Sequence, residues 1–321
     1  MMGRFDRYRD EYRASLKSMD TEEHIDLAFY RPLGFAWACA ARELGITPNA
    51  ITIASIFLGI GAGVAFYFNN LAINIVGMIL LVWANSFDSA DGQLARMTRQ
   101  YSRIGRILDG VSGDLWFAAI YVAICLREVH TSLFFEEYHW VIWVLAVGAG
   151  LCHATQAALA DYYRQFHLYF LKGAEGSELD TGSELKQKLG ELSWSRDFFK
   201  KLTLTFYTNY TLGQERRTAS MQELRGELAL RYPDGRIPRQ FREVFRDMSL
   251  PLMKYTNILS FNWRCITLFV ALFAGIPWLY FVAELTVFNL IMMWMNYRHE
   301  RICTELTDQL RAGLYPAEPP L

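Results

Sequence analysis

No cysteine in this chain has a near neighbour of its own kind. The five, Cys39, Cys125, Cys152, Cys265 and Cys303, are scattered singly and no C-x-x-C occurs, so neither a zinc site nor a disulfide framework is indicated. A glycine-rich phosphate loop, zinc-finger spacing and a basic stripe interleaved with aromatics are also missing. The net charge of −1 provides no overall field to draw the chain to nucleic acid. Repeats and low-complexity tracts are absent. The N-terminus, Met1-Met2-Gly3-Arg4-Phe5-Asp6, is charged where a signal peptide would have its apolar core. Insertion is therefore expected to rely on the first membrane helix itself.

What the chain does have is segregation. Its 321 residues average 52% hydrophobic and 20% charged, yet the charges gather in blocks between long charge-free runs. That pattern suits a polytopic membrane protein with a soluble insertion. Ala50–Phe68 is 19 residues without a charge, enough for one span at about 1.5 Å per residue. Asn69-Asn70 reads as a tight turn and Leu71–Phe87 as the second span. A third helix is expected from near Gly105 through Leu126, a fourth over Trp140–Ala160, a fifth over Asn257–Phe273 and a sixth over Trp278–Asn296. Gly275-Ile276-Pro277 separates the last two.

The expected fold class is thus all-α integral membrane, with six transmembrane helices, an N-terminal interfacial amphipathic helix and a cytoplasmic insertion. Residues 1–45 form the N-terminal segment, with Phe35–Leu44 lying at the interface. Gly45-Ile46-Thr47-Pro48-Asn49 is a helix stop followed by a restart. Residues 46–170 hold the first four spans, 171–255 the insertion, 256–300 the last two spans and 301–321 a tail. Within the insertion, Gly173-Ala174-Glu175-Gly176-Ser177 and the polar stretch after it read as flexible. Phe198–Tyr210 and Gln222–Arg231 read as short helices or interfacial segments, and Pro233-Asp234-Gly235 as a turn. Arg96, Arg99, Arg103, Arg106, Lys172, Lys186, Lys188, Lys200 and Lys201 fall on one side of such a bundle, and only Arg127 on the other. The positive-inside rule then makes both termini and the insertion cytoplasmic.

At the inner end of the second span stands a spaced pattern, D-x2-D-G-x2-A-R-x8-G-x3-D, made by Asp88, Asp91, Gly92, Ala95, Arg96, Gly105 and Asp109. Ionisable residues at a membrane boundary point to function. Positions i, i+3, i+4 and i+7 share one helix face. Asp88, Asp91, Gly92 and Ala95 occupy that series, so two carboxylates stack beside a strip with almost no side chain. Carboxylates hold hard divalent cations through oxygen, and Arg96 adds a charge suited to phosphate. Gly105 and Asp109 share a face of the next helix, from which Asp109 can complete the site. Such a set suggests a pyrophosphate-containing substrate, with metals neutralising the phosphates during displacement. The plain alternative is a group of helix-end charges paired with Arg96, Arg99 and Arg103.

These residues resemble the CDP-alcohol phosphotransferase family, whose signature is D-x2-D-G-x2-A-R-x8-G-x3-D-x3-D. Ile46-Thr47-Pro48-Asn49-Ala50-Ile51-Thr52 is also similar to that family's approach to its first span. The resemblance covers most of residues 45–170 and, by helix count, the last two spans. It implies an enzyme that joins the phosphoryl group of a CDP-linked donor to an alcohol and releases CMP. By motif position it implies two divalent ions, Mg²⁺ or Mn²⁺, among Asp88, Asp91 and Asp109. Gly92 and Ala95 would line a cytidine pocket, with Asp88 beside it and Arg96 steadying the nucleotide phosphates. A homodimer in the bilayer is implied as well. The signature's final aspartate, base and metal ligand, falls at Gly113; the nearest acid is Asp114. On a regular helix Asp114 lies about 140° around from Asp109. A π-bulge among Gly110, Ser112 and Gly113 would return Asp114 to the site as base and ligand.

Further polar residues have two readings each. His153, Gln156 and Asp161 suit an acceptor pocket or interhelical hydrogen bonds. Arg264 suits an anionic acceptor or snorkelling to lipid phosphate, and Glu284 is expected to be protonated or paired. Among donors, CDP-diacylglycerol with a small polar alcohol is favoured by six spans rather than ten, and basic residues near the site favour a phosphorylated polyol. The alternative is a CDP-linked headgroup, such as choline, ethanolamine or inositol phosphate, given to a lipid or other alcohol. A transporter would spread polar groups through the membrane depth. A prenyltransferase would want a second aspartate-rich segment, and residues 250–321 offer none. An inactive homologue is the reading that the displaced Asp114 leaves open.

Overall fold

In the computed structural model of the chain, residues 4–16, 18, 20–100, 103–172 and 179–316 are described. They are helical with no strand among them. In chain order the helices are α1 (Arg4–Ser15), α2 (Arg31–Glu43), α3 (Pro48–Tyr67), α4 (Leu71–Thr98), α5 (Arg103–Thr131), α6 (Leu133–Glu137) and α7 (His139–Lys172). Then follow α8 (Gly182–Gly190), α9 (Phe198–Arg217), α10 (Ala219–Arg231), α11 (Arg239–Ser249), α12 (Met253–Ile258), α13 (Phe261–Phe273), α14 (Leu279–Ala283) and α15 (Asn289–Arg311). One π-helical turn, Asp26–Tyr30, leads into α2 and another, Glu284–Phe288, joins α14 to α15.

The helix ends follow from local chemistry. Gly45 adopts φ +70°, the left-handed conformation that closes a helix, while Ile46 N–H donates to Ala41 O (2.9 Å). Thr47 then caps α3 by accepting from Ala50 N–H, and Pro48 fills the first helical position, where no amide donor is needed. Asn70 caps α4 by accepting from Ile73 N–H at 3.2 Å, and Gly275, at φ +73°, closes α13. Six helical stretches among the described residues are long and apolar enough to cross a membrane: Pro48–Tyr67, Leu71–Thr98, Leu108–Thr131, His139–Leu171, Arg239–Phe273 and Leu279–Arg311. The chain is an integral multi-pass membrane protein of all-α class.

The chain divides into two compact units. The first comprises Met1–His153 and Phe261–Val287. Its core joins Phe66, Met78, Leu81, Trp116, Ile120, Tyr121, Ile124, Leu268 and Phe281. Apolar side chains gain little by leaving lipid for one another, so membrane helices rely on close backbone approach. Glycine supplies it here. A Cβ at Gly59 would stand 2.0 Å from the Trp116 ring, and one at Gly63 would stand 2.9 Å from the Ala119 carbonyl carbon. The Gly59–Gly63 stretch, which in sequence permits contact between helices generally, is therefore used by α3 against α5. Ala38 and Ala41 of α2 bury against Ile51, Ala90 and Leu94, at the same end of α3 and α4 as the aspartates.

The second unit comprises Ala154–Ser260 and Phe288–Leu321. Met221, Leu224 and Leu228 of α10 and Cys303, Leu306 and Leu310 of α15 are buried. Phe170 of α7 packs on Phe241 and Phe245 of α11, with ring centroids 5.7 and 4.1 Å away. Tyr163 stacks on His299 at 3.9 Å and donates to Asn296 Oδ1 at 2.6 Å. The stretch from Thr181 is a capped helix, α8, rather than flexible chain, because Thr181 accepts from Glu184 N–H and Glu215 accepts from Gly182 N–H. Helices α9 and α10 are longer than the periodicity predicts. Gly235 forms the expected turn, at φ +74° with its N–H on Tyr232 O (2.9 Å). Residues 173–178, read as flexible from the sequence, lie outside the described residues.

Candidate metal centre and active site

Three carboxylates converge where α4 and α5 meet. One ligand oxygen from each of Asp88, Asp91 and Asp109 lies within 4.8 Å of the other two. The set is graded in burial: Asp91 is 4% exposed, Asp88 half-buried and Asp109 exposed. Asp88 and Asp91 project from one face of α4 because they are three residues apart. Asp109 reaches them from α5. Ionised carboxylates this close repel one another, and a hard divalent cation with oxygen ligands relieves that repulsion. The three oxygen donors therefore suit a divalent cation in type and spacing.

Two hydroxyls orient these carboxylates. Thr52 Oγ1 of α3 donates to Asp91 Oδ2 at 2.5 Å, and Ser112 Oγ of α5 donates to Asp88 Oδ1 at 2.9 Å. Sequence reasoning missed both. Ser112 has a readable signal, since it lies three residues after Asp109 on the same helix. Thr52 has none, because nothing local says which helix faces Asp91. Arg31 was missed too: its Nε pairs with Glu22 Oε2 (2.9 Å) and its Nη1 donates to Ser89 Oγ (3.0 Å), beside Asp88 in sequence.

Gly92 keeps the wall of the site low. A Cβ added there would meet the Arg96 guanidinium at 3.4 Å, so Arg96 lies over the strip that Gly92 leaves bare. Arg96 Nε donates to Ser15 O at 2.5 Å, and Gln93 Nε2 donates to Ser15 Oγ at 3.1 Å. The end of α1 is thereby tied to α4. Gly34 permits the same closeness for α2, since a Cβ there would stand 2.7 Å from Gln93 Oε1. Ala95, half-buried, extends the open strip by one turn.

Asp114 does not join the three. Helix α5 is α-helical throughout Arg103–Thr131, so the π-turn expected near Gly113 is not formed. Without it, five residues of regular helix place Asp114 about 140° from Asp109, and Asp114 is exposed. Glycine permits a bulge, but permission supplies no force, and an unbroken hydrogen-bond ladder is the lower-energy path.

The deeper polar residues satisfy one another. In the first unit, Arg264 is 1% exposed and its Nη1 donates to Glu284 Oε1 (2.6 Å) and to Oε2. Tyr280 OH donates to the same Glu284 Oε1 at 2.6 Å. His153 Nδ1 lies 3.9 Å from that oxygen and 3.2 Å from Tyr121 OH. Arg264 therefore does not reach the membrane surface, and Glu284 is paired. In the second unit, Gln156 Nε2 donates to Asn289 Oδ1 (2.9 Å), and Asp161 accepts from Tyr210 OH (3.3 Å). Both contacts are hydrogen bonds between helices.

Residues 45–167, which include the three aspartates, match the family model for CDP-alcohol phosphatidyltransferase. The archaetidylinositol phosphate synthase of Pyrococcus horikoshii is 40% identical over 84 residues, a stretch covering 26% of this chain and 43% of that relative. The match thus spans less than half the length of the curated relative. Residues 45–167 are thus a CDP-alcohol phosphatidyltransferase domain by their match to the family model.

Proposed function

We propose that this protein is a membrane transferase of phospholipid synthesis that moves a phosphatidyl group from CDP-diacylglycerol to a polar alcohol and releases CMP. The observation that carries this reading is the convergence of Asp88, Asp91 and Asp109 within 4.8 Å at the end of two apolar helices, inside the family-matched segment. Asp88, Asp91 and Asp109 would hold two divalent ions, Mg²⁺ or Mn²⁺, which supply charge neutralisation to the pyrophosphate when bound. Thr52 and Ser112 keep Asp91 and Asp88 turned toward the centre. The strip of Gly92 and Ala95 leaves room for the flat cytosine ring, and Arg96 stands beside it for the nucleotide phosphates.

In the reaction, the acceptor hydroxyl oxygen attacks the phosphorus that carries the diacylglycerol. The bridging P–O bond breaks, its electron pair leaves with CMP, and the hydroxyl proton passes to a carboxylate. We assign that proton to Asp109, the exposed member of the three and the one that incoming solute meets first. Asp114 is the rival base and is separable from Asp109 by mutation. The name of the Pyrococcus horikoshii relative, together with the basic residues near the site, favours a phosphorylated polyol such as inositol phosphate as acceptor. The distribution of Lys and Arg favours a cytoplasmic site with both termini on that side, and the family resemblance favours a homodimer.

CMP release by the purified protein in detergent tests the reading, with CDP-diacylglycerol, Mg²⁺ or Mn²⁺ and a panel of polar alcohols. The expected result is release that requires metal and one acceptor and is lost in Asp91→Asn. Release only with CDP-linked headgroups and a lipid acceptor would transfer the assignment to that donor class. No release with either class, from protein that binds Mn²⁺ normally, would refute the enzyme reading.

A further inference from the structure

Helix α9 has its polarity inside out for a helix in water. Thr208, Thr211 and Gln214 are buried, while Phe199 is 80% exposed and Phe206 68% exposed. Phe199, Thr203 and Phe206 follow the i, i+4, i+7 series and share the outward face. Phe198 and Trp194 extend the exposed aromatic surface past the N-terminal end. A soluble surface helix shows the opposite arrangement, and a contiguous exposed aromatic patch marks an interaction surface.

The level at which α9 is held identifies what covers that surface. Gln214 Nε2 donates to Ala158 O at 2.8 Å, and Tyr210 OH donates to Asp161 Oδ2 at 3.3 Å. Both acceptors belong to α7 and to the same compact unit as α9. Trp140–Ala160 of α7 contains no Asp, Glu, Lys or Arg, and Asp161 is the first charge beyond it. These bonds therefore pin α9 where the fourth span leaves the hydrocarbon. Aromatic side chains concentrate at that depth in membranes. Between Trp194 and Arg217 there are five basic residues, Arg196, Lys200, Lys201, Arg216 and Arg217, against Asp197 and Glu215. Lys201 Nζ is anchored on Leu192 O (2.7 Å) with the Trp194 ring 5.3 Å away.

We propose that α9 is an interfacial helix that sets Phe199 and Phe206 into the membrane surface, with a preference for anionic lipid. Basic residues flanking an aromatic face match a negatively charged headgroup layer.

The full-length protein in lipid nanodiscs tests this. Bimane is attached to Phe199→Cys, Phe206→Cys or, as a water-exposed reference on α8, Gln187→Cys, with the half-buried Cys39 and Cys152 changed to Ala. Quenching is read from brominated acyl chains and from aqueous iodide. The labels at 199 and 206 are expected to be quenched by brominated lipid at least about twofold more than the label at 187. The effect is expected to be larger in phosphatidylglycerol than in phosphatidylcholine. Labels at 199 and 206 as open to iodide as the label at 187 would overturn the proposal. Protection from both quenchers would overturn it too, assigning the face to a protein partner such as a second copy. Equal quenching in the two lipids would remove the preference for anionic lipid.

Discussion

Breaking the Arg264–Glu284 pair should cost far more than deleting it. Both side chains are at most 1% exposed, so neither can exchange its lost partner for water. Removing one member of such a pair costs about 3–5 kcal/mol, because a buried charge is left uncompensated. That corresponds to roughly a hundredfold or more in the folding equilibrium. Glu284 also accepts from Tyr280 OH, so its loss orphans a hydroxyl as well, at a further cost of about 1 kcal/mol. Replacing the whole group by apolar residues of similar volume, as Arg264→Met, Glu284→Leu and Tyr280→Phe together, should lie near neutral. The assay is reversible denaturation in mixed micelles, with singles and the triple measured under one condition. The expected outcome is two strongly destabilised singles, Arg264→Met and Glu284→Leu, and a triple close to wild type. The reasoning is refuted if the triple loses the sum of its parts, as independent sites would.

Other outcomes follow from the site and the helix packing. Thr52→Val keeps the side-chain shape but removes the donor to Asp91, and should raise the Mg²⁺ concentration for half-maximal CMP release about tenfold; an unchanged requirement would show that the hydroxyl orients nothing. Asp109→Asn should lower turnover by about a hundredfold or more, with Asp114→Asn within about twofold of wild type; the reverse order would return the base role to Asp114. Gly63→Leu should lower the detergent melting temperature by an amount equivalent to about 1–3 kcal/mol, because its Cβ would stand 2.9 Å from the Ala119 carbonyl carbon. Gly61→Leu, whose Cβ meets only Leu80 at 3.6 Å, is the matched control and should melt close to wild type.

By itself the sequence determined the membrane character, the six spans, the helix stops and the face shared by Asp88 and Asp91. These are local properties: hydropathy over one span, a left-handed glycine, a threonine before a proline, and a period of about 3.6 residues. The spacing to Asp109 was legible as well, from the D-x2-D-G-x2-A-R-x8-G-x3-D pattern. Other features needed the tertiary structure because they join residues far apart in the chain. Thr52 and Asp91 are 39 residues apart, Ser112 and Asp88 are 24, and Arg264 and Glu284 are 20. The sequence offers Arg264 an anionic acceptor or a lipid phosphate equally, and only packing brings it to Glu284. Asp114 shows the converse. Its sequence allows a bulge, while the folded helix keeps its hydrogen-bond ladder and leaves the carboxylate facing away. Periodicity likewise does not say which side of α9 turns outward; the fold decides it, burying Thr208, Thr211 and Gln214, with Gln214 Nε2 donating to Ala158 O.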